Sequence, residues 1–161
     1  IFHKMIFVNG FSKSHAMTGW RIGYMIAEND LIKIFDKVQQ HTLTCAPSIS
    51  QYAALKAIDD DKSVREMVYE FKKRRDYIYS RISKISIFNT VLPEATFYIF
   101  PKFNLQMNSM EFSELLLEKA KVSVVPGISF GKNGENHIRI SFATSMENIK
   151  EGMDRIEDTF K

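Results

Sequence analysis

Three side chains close together near the start of the chain carry the most chemistry: Ser12, Lys13 and Arg21. A lysine amine attacks an aldehyde or ketone when it is unprotonated. Arg21 stands in an otherwise apolar stretch. A guanidinium there must find an anion or a hydrogen-bonding partner, because an unpaired buried charge is costly. A phosphate would serve, with the Ser12 hydroxyl as an additional donor; an intramolecular ion pair would meet the same need. Gly10, Gly19 and Gly23 surround the group, and glycine lets backbone come close to a ligand.

The elements that must position these groups follow from periodicity. Met5–Val8 is a short apolar run of strand formers stopped by Asn9-Gly10, and Trp20–Ala27 is a second; both read as interior strands flanking a small loop that carries Lys13. Leu31, Ile34, Phe35 and Val38 have helical spacing after the capping candidates Asn29 and Asp30. Ser48 with Gln51 predicts a capping box for a helix reaching about Ile58, broken by Asp59-Asp60-Asp61. Val64, Met67, Val68, Phe71, Ile78, Ile82 and Ile85 form the stripe of the longest helix.

Beyond it, Thr96–Phe100 reads as a strand, residues 110–120 as a helix and Val122–Val125 as a short strand. In His137–Phe142 the apolar residues Ile138, Ile140 and Phe142 alternate with His137, Arg139 and Ser141, which places Arg139 on the polar face of a half-buried strand. A last helix starts at Thr144, with Glu147 completing a capping box. Residues 1–60 read as strands and helices that do not make a self-sufficient unit. Residues 61–161 read as an α+β domain with its own core.

Composition bounds the function classes. The 161 residues are 45% hydrophobic with a net charge of +3, ordinary for a soluble globular protein. The basic run Lys72-Lys73-Arg74-Arg75 falls inside a helical pattern without aromatic platforms, so a solvated helix face is expected and nucleic acid is not. No run is long enough to span a bilayer. The single cysteine, Cys45, permits no internal disulfide, and His3, His15, His41 and His137 lack the spacing of a metal site. Gly127–Asn133 misses the spacing and the Ser/Thr of a phosphate loop. A cytoplasmic location is expected, and the start at Ile1 reads as a cut within something longer.

The stretch Gly10-Phe11-Ser12-Lys13-Ser14-His15-Ala16-Met17-Thr18-Gly19-Trp20-Arg21-Ile22-Gly23 resembles, position for position, the lysine signature of class I/II aminotransferases. Pro93–Pro101 resembles that family's strand into the small domain. Val125-Pro126-Gly127 with Phe130-Gly131 resembles a loop near its substrate, and His137–Ala143 its substrate-arginine strand. The resemblance spans essentially the whole chain. It implies the type I pyridoxal-phosphate (PLP) transferase fold, an α/β parent. Residues 1–60 would be the end of the large PLP-binding domain and residues 61–161 the small C-terminal domain.

The same resemblance implies that Lys13 forms the internal Schiff base with PLP, that Ser12 and Arg21 hold the cofactor phosphate, and that Arg139 takes the substrate carboxylate. It implies transfer of an amino group from an amino acid to a 2-oxo acid in a homodimer, with no metal, nucleic acid or membrane involved. A PLP lyase or synthase on this fold would carry the same residues. A non-catalytic piece, or the sensor half of a regulator, is the reading from another class. Two departures stand out. Ala95 occupies a position where the family usually has glycine. Thr42–Ala46 lacks the arginine by which some aspartate-specific members bind a second carboxylate. The family's partner for the pyridine nitrogen and its ring-stacking aromatic precede the lysine, so the chain alone is expected to be inactive.

Overall fold

The computed structural model describes residues 4–161. The chain divides into two compact units, Ile1–Met67 and Val68–Lys161, and each is built around its own buried cluster.

In the first unit, β1 (Phe7–Gly10) pairs antiparallel with β2 (Gly23–Ile26), Phe7 opposite Ile26 and Gly10 opposite Gly23. The connection is not the plain loop that the sequence suggests. It opens with one helical turn, α1 (Phe11–Ser14), and continues through a 3-10 turn at Thr18–Trp20. Phe11 and Met17 are buried from this connection, together with Ala54 of α3. Helix α2 (Asn29–Thr42) is capped by backbone alone at Glu28 rather than by Asn29 or Asp30. Helix α3 (Ser48–Ile58) starts after Pro47, and its expected capping box is absent: Ser48 already lies inside the helix, and Gln51 donates to the Ala46 carbonyl instead. Pro47 supplies the helix entry that the serine was expected to supply. The exposed faces of β1 and β2 carry Val8 and Ile26, so the two strands expected to be interior are covered by little among the described residues.

The aspartate run does two jobs. Asp59 ends α3, and the Asp60 carboxylate accepts the Ser63 amide at the first turn of α4 (Asp61–Ile82). At 22 residues α4 is about 33 Å long. Its expected apolar stripe is buried only toward the C-terminal end, at Ile78 and Ile82; Val68 stands exposed. The basic run on it is balanced locally. Arg74 bonds Glu70, and Arg75 bonds Asp76 and the Pro93 carbonyl.

The second unit places a three-stranded antiparallel sheet, ordered β4 (Tyr98–Ile99), β7 (Ile138–Ser141), β6 (Val125–Pro126), against helices. A short ladder joins β3 (Phe88–Asn89) to β5 (Lys102–Phe103). Two-residue strands are too short to show a period, which is why β3 and β5 left no trace in the sequence pattern. Helix α5 (Ser109–Leu115) has a full capping box between Asn108 and Glu111 and runs into a π turn at Leu116–Ala120. Helix α6 (Met146–Thr159) is capped by Ser145, which accepts from the Asn148 amide, one residue later than expected. Thr144 instead accepts from the Asn148 side chain.

The core alternation of β7 is as expected: Ile138, Ile140 and Phe142 are buried. They meet Ile99 from the sheet, Phe112 from α5, Leu116 from the π turn, and Ile149, Met153 and Ile156 from α6. Arg81 ties α4 to α6, bonding Glu157 at 2.7 Å, Asp154 at 2.6 Å and the Tyr77 hydroxyl. No helix among the described residues is long and apolar enough to cross a membrane.

Candidate active site

Lys13 sits on α1, its side chain exposed, on the short connection between the two paired strands. The turn is anchored beneath it by buried Phe11, whose ring packs on His15 at 5.3 Å and Tyr24 at 5.7 Å. His15 is further held by the Ser14 hydroxyl at 2.8 Å, a local structural contact. Ser12 is half-buried next to the lysine.

Arg21 does not lie within the strand, as its apolar surroundings suggested. It precedes β2 with φ of 50°, in the left-handed region, and is exposed. Its guanidinium donates to the Thr18 carbonyl at 2.9 Å, so the costly buried charge envisaged from sequence is not formed within this unit. Gly23 has a local reason to be glycine: a Cβ there would meet the Asn9 carbonyl oxygen at 3.0 Å. This close approach holds β1 and β2 together where the lysine connection leaves and returns. Ser12, Lys13 and Arg21 thus all lie on the one connection between β1 and β2.

Arg139 belongs to the second unit. It is half-buried on the face of β7 opposite the core, as the alternation predicts. The register sets Tyr98 opposite Ser141 and Ile99 opposite Ile140, which puts Tyr98 on the face that carries Arg139. The guanidinium carbon lies 4.2 Å from the centre of the Tyr98 ring and 4.8 Å from that of Phe130. Phe130 meets Phe100 edge-on at 5.7 Å, and Phe100 stacks on His137 at 5.0 Å.

One face of this small sheet is therefore core, and the other is an aromatic platform around an arginine. Sequence reasoning missed Tyr98, Phe100 and Phe130 as a group. The first two share a period-two face in Thr96–Phe100, a usable signal; Phe130 was marked only through its place in the loop resembling one near the family's substrate. Among the described residues no group of three or more His, Cys, Asp or Glu side chains is arranged to hold a metal ion.

Residues 3–156 match the family described as aminotransferase class I and II, and the chain belongs to that family. It is 45% identical over its full length to an aspartate aminotransferase of Pyrococcus abyssi, covering 42% of that protein. It is 48% identical over 96% of its length to a probable N-acetyl-LL-diaminopimelate aminotransferase of Bacillus subtilis, covering 39% of it. The crystal structure of an aromatic aminotransferase from Pyrococcus horikoshii superposes with a TM-score of 0.91 at 44% identity, over 98% of this chain and 43% of that one. The α/β fold is thus that of aminotransferases, and the chain spans about two-fifths of the length of these relatives.

Proposed function

We propose that this protein is a PLP-dependent aminotransferase that moves an amino group from an amino acid to a 2-oxo acid. The observation that carries the reading is the exposed Lys13 amine, held on a turn between paired strands, in a chain that matches the aminotransferase family almost from end to end. Residues 1–60 would close the large cofactor-binding domain and residues 61–161 would form the small domain, in a homodimeric cytoplasmic enzyme.

The donor set fits the cofactor. Lys13 offers a primary amine to its aldehyde, and Arg21 and Ser12 offer a guanidinium and a hydroxyl to its phosphate. When bound, PLP supplies the carbonyl and the electron-withdrawing ring that this chemistry needs. Lys13 would hold the cofactor through its amine and would move the proton at the substrate Cα. Arg139 would take the substrate α-carboxylate in two parallel bonds.

The test is a coupled oxo-acid assay, with a panel of amino acids, on the PLP-loaded full-length enzyme, in which this chain is joined to the remaining part that its relatives carry. Turnover that depends on both an amino donor and a 2-oxo acid, and that Lys13→Ala removes, is expected. Turnover unaffected by Lys13→Ala, or none with any donor, would overturn the reading.

A further inference from the structure

Arg139 differs from every other arginine in the described chain. Arg21 donates to the Thr18 carbonyl, Arg74 to Glu70, Arg75 to Asp76, and Arg81 to Glu157, Asp154 and Tyr77. Arg65 pairs with Asp61 and Arg155 with Glu151. Among the described residues Arg139 alone has neither a hydrogen-bond acceptor nor an ion-pair partner, although it is half-buried. Its contacts are with the ring faces of Tyr98 and Phe130. A guanidinium is attracted to an aromatic face by the ring's quadrupole, and such contacts occupy no carboxylate.

Both rings are themselves fixed. Tyr98 lies in β4, paired to β7. Its amide donates to the Thr96 hydroxyl at 3.1 Å, and Thr96 has φ of 71°, a left-handed conformation that a β-branched residue adopts only when its surroundings enforce it. Phe130 ends the 3-10 turn Gly127–Phe130 and rests edge-on against Phe100, which stacks on His137.

We propose that Tyr98 and Phe130 are positioning residues that hold the Arg139 guanidinium by its contacts with their rings, leaving its donors for the substrate carboxylate. The arrangement lowers the ordering cost of binding: a long side chain that would otherwise lose rotamer freedom when the carboxylate arrives is already held. The proposal rests on Arg139 being the substrate arginine.

The experiment compares Tyr98→Leu, Phe130→Leu and Tyr98→Phe with Arg139→Ala in the same PLP-loaded full-length enzyme. The two leucine variants are expected to raise KM for amino acid and oxo acid about tenfold, the scale of one lost cation–π contact, with kcat and PLP content near wild type. Tyr98→Phe keeps the ring face and is expected to keep the wild-type KM. Reaction with a simple alkylamine, which has no carboxylate, should be slow in all of these proteins and unchanged by the leucine substitutions.

Equal KM values for Tyr98→Leu, Phe130→Leu and wild type, in an enzyme whose KM rises in Arg139→Ala, would overturn the clamp and leave the aminotransferase reading standing. Wild-type protein inactive with every donor would overturn that reading instead. The clamp is then decided by nuclear magnetic resonance. The Arg139 Nε–H signal is expected to shift on titration with propionate, and at higher propionate concentration in both leucine variants. The same titration midpoint in all three proteins would overturn it.

Discussion

Gly127 and Gly134 pack backbone against backbone at the base of the segment that carries Phe130. A Cβ on Gly127 would collide with the Gly134 carbonyl and come within 2.6 Å of the His137 carbonyl oxygen. The same place is stitched by the Gly127 amide to the His137 carbonyl at 2.8 Å and the His137 amide to the Gly134 carbonyl at 3.1 Å. Gly127 and Gly134 close a compact pair of 3-10 turns, and that closure sets where the Phe130 ring meets Arg139.

Gly127→Ala is therefore expected to be costly, since the obstructing atoms are backbone and cannot step aside. A loss of about 1–3 kcal/mol, the range for overpacking, should appear as a lower urea midpoint. Gly131→Ala is the contrast. Nothing lies near its would-be Cβ, but its φ is 102°, so it should cost through backbone strain of about 1–3 kcal/mol without a collision. A Gly127→Ala protein as stable as wild type would show that the two 3-10 turns of this segment can separate freely.

The acidic limit of stability should be set by a few carboxylates. Arg81 holds Glu157 below its ordinary value through a direct hydrogen bond. The Ser109 amide, and then that of Asn136, do the same for Glu135. A depressed folded-state pKa means that the unfolded chain binds more protons in the acid range, so stability is full above the unfolded carboxylate value of about 4.3. It is lost as pH falls through that value toward the lower folded ones. Denaturation midpoints measured between neutral pH and pH 3 should fall in this window. Glu157→Gln should flatten part of the fall while lowering stability at neutral pH. A midpoint that rises on acidification would contradict the assignment.

The sequence was informative where a pattern repeats and silent where contact depends on distant backbone. Ile138, Ile140 and Phe142 alternate with Arg139, and both faces of β7 could be read directly from that. Lys13 was placed between two strands, but its helical turn is too short to leave a period. The Ser48 and Thr144 capping patterns were each displaced by one residue. Pro47 and Ser145 stand at the true entries, and an Ser/Thr-x-x-Glu/Gln pattern does not say which of two adjacent residues turns the chain. Phe130 was marked only as part of a loop resembling one near the family's substrate; its approach to Arg139 depends on the Gly127–Gly134 contact, which no local pattern shows.

Lys13 is expected to be the residue that bonds the cofactor. Reducing the PLP-loaded protein with borohydride and mapping its peptides should place the pyridoxyl label on Lys13, because its amine stands exposed on α1 while the side chain of Arg21 is occupied with Thr18. A label on Lys4 or on a lysine of α2 would remove Lys13 from the site.

Arg139→Ala is expected to act on substrate and not on cofactor. Its guanidinium lies over the Tyr98 and Phe130 rings and has no ion-pair partner among the described residues, so truncation breaks no ion pair and should leave folding nearly intact. Catalytic efficiency toward amino acids should fall by the equivalent of roughly 2–5 kcal/mol, the range for losing one partner of a charged, hydrogen-bonded pair. PLP content, read from absorbance after denaturation in alkali, should match wild type. Reduced PLP with unchanged substrate affinity would assign the arginine to the cofactor.

The two units should differ in stability within the 161-residue chain. The second has a continuous core in which Ile82, Phe112, Leu116, Ile138 and Phe142 are wholly buried. The buried apolar residues described in the first are Phe11, Met17 and Ala54, while Val8 and Ile26 on its two strands are 70% and 57% exposed. A two-stranded ladder with so little apolar cover is marginal in water, and stability across a structure follows local burial. Amide hydrogen exchange should therefore be slowest at Ile138–Ser141 and α6, and much faster at Phe7–Gly10 and Gly23–Ile26. Because Ser12, Lys13 and Arg21 all hang on that ladder, the isolated chain should bind PLP weakly in a spectroscopic titration and show no transamination. Equal protection of β1 and β7, together with tight PLP binding, would show that the first unit holds its strands without further cover.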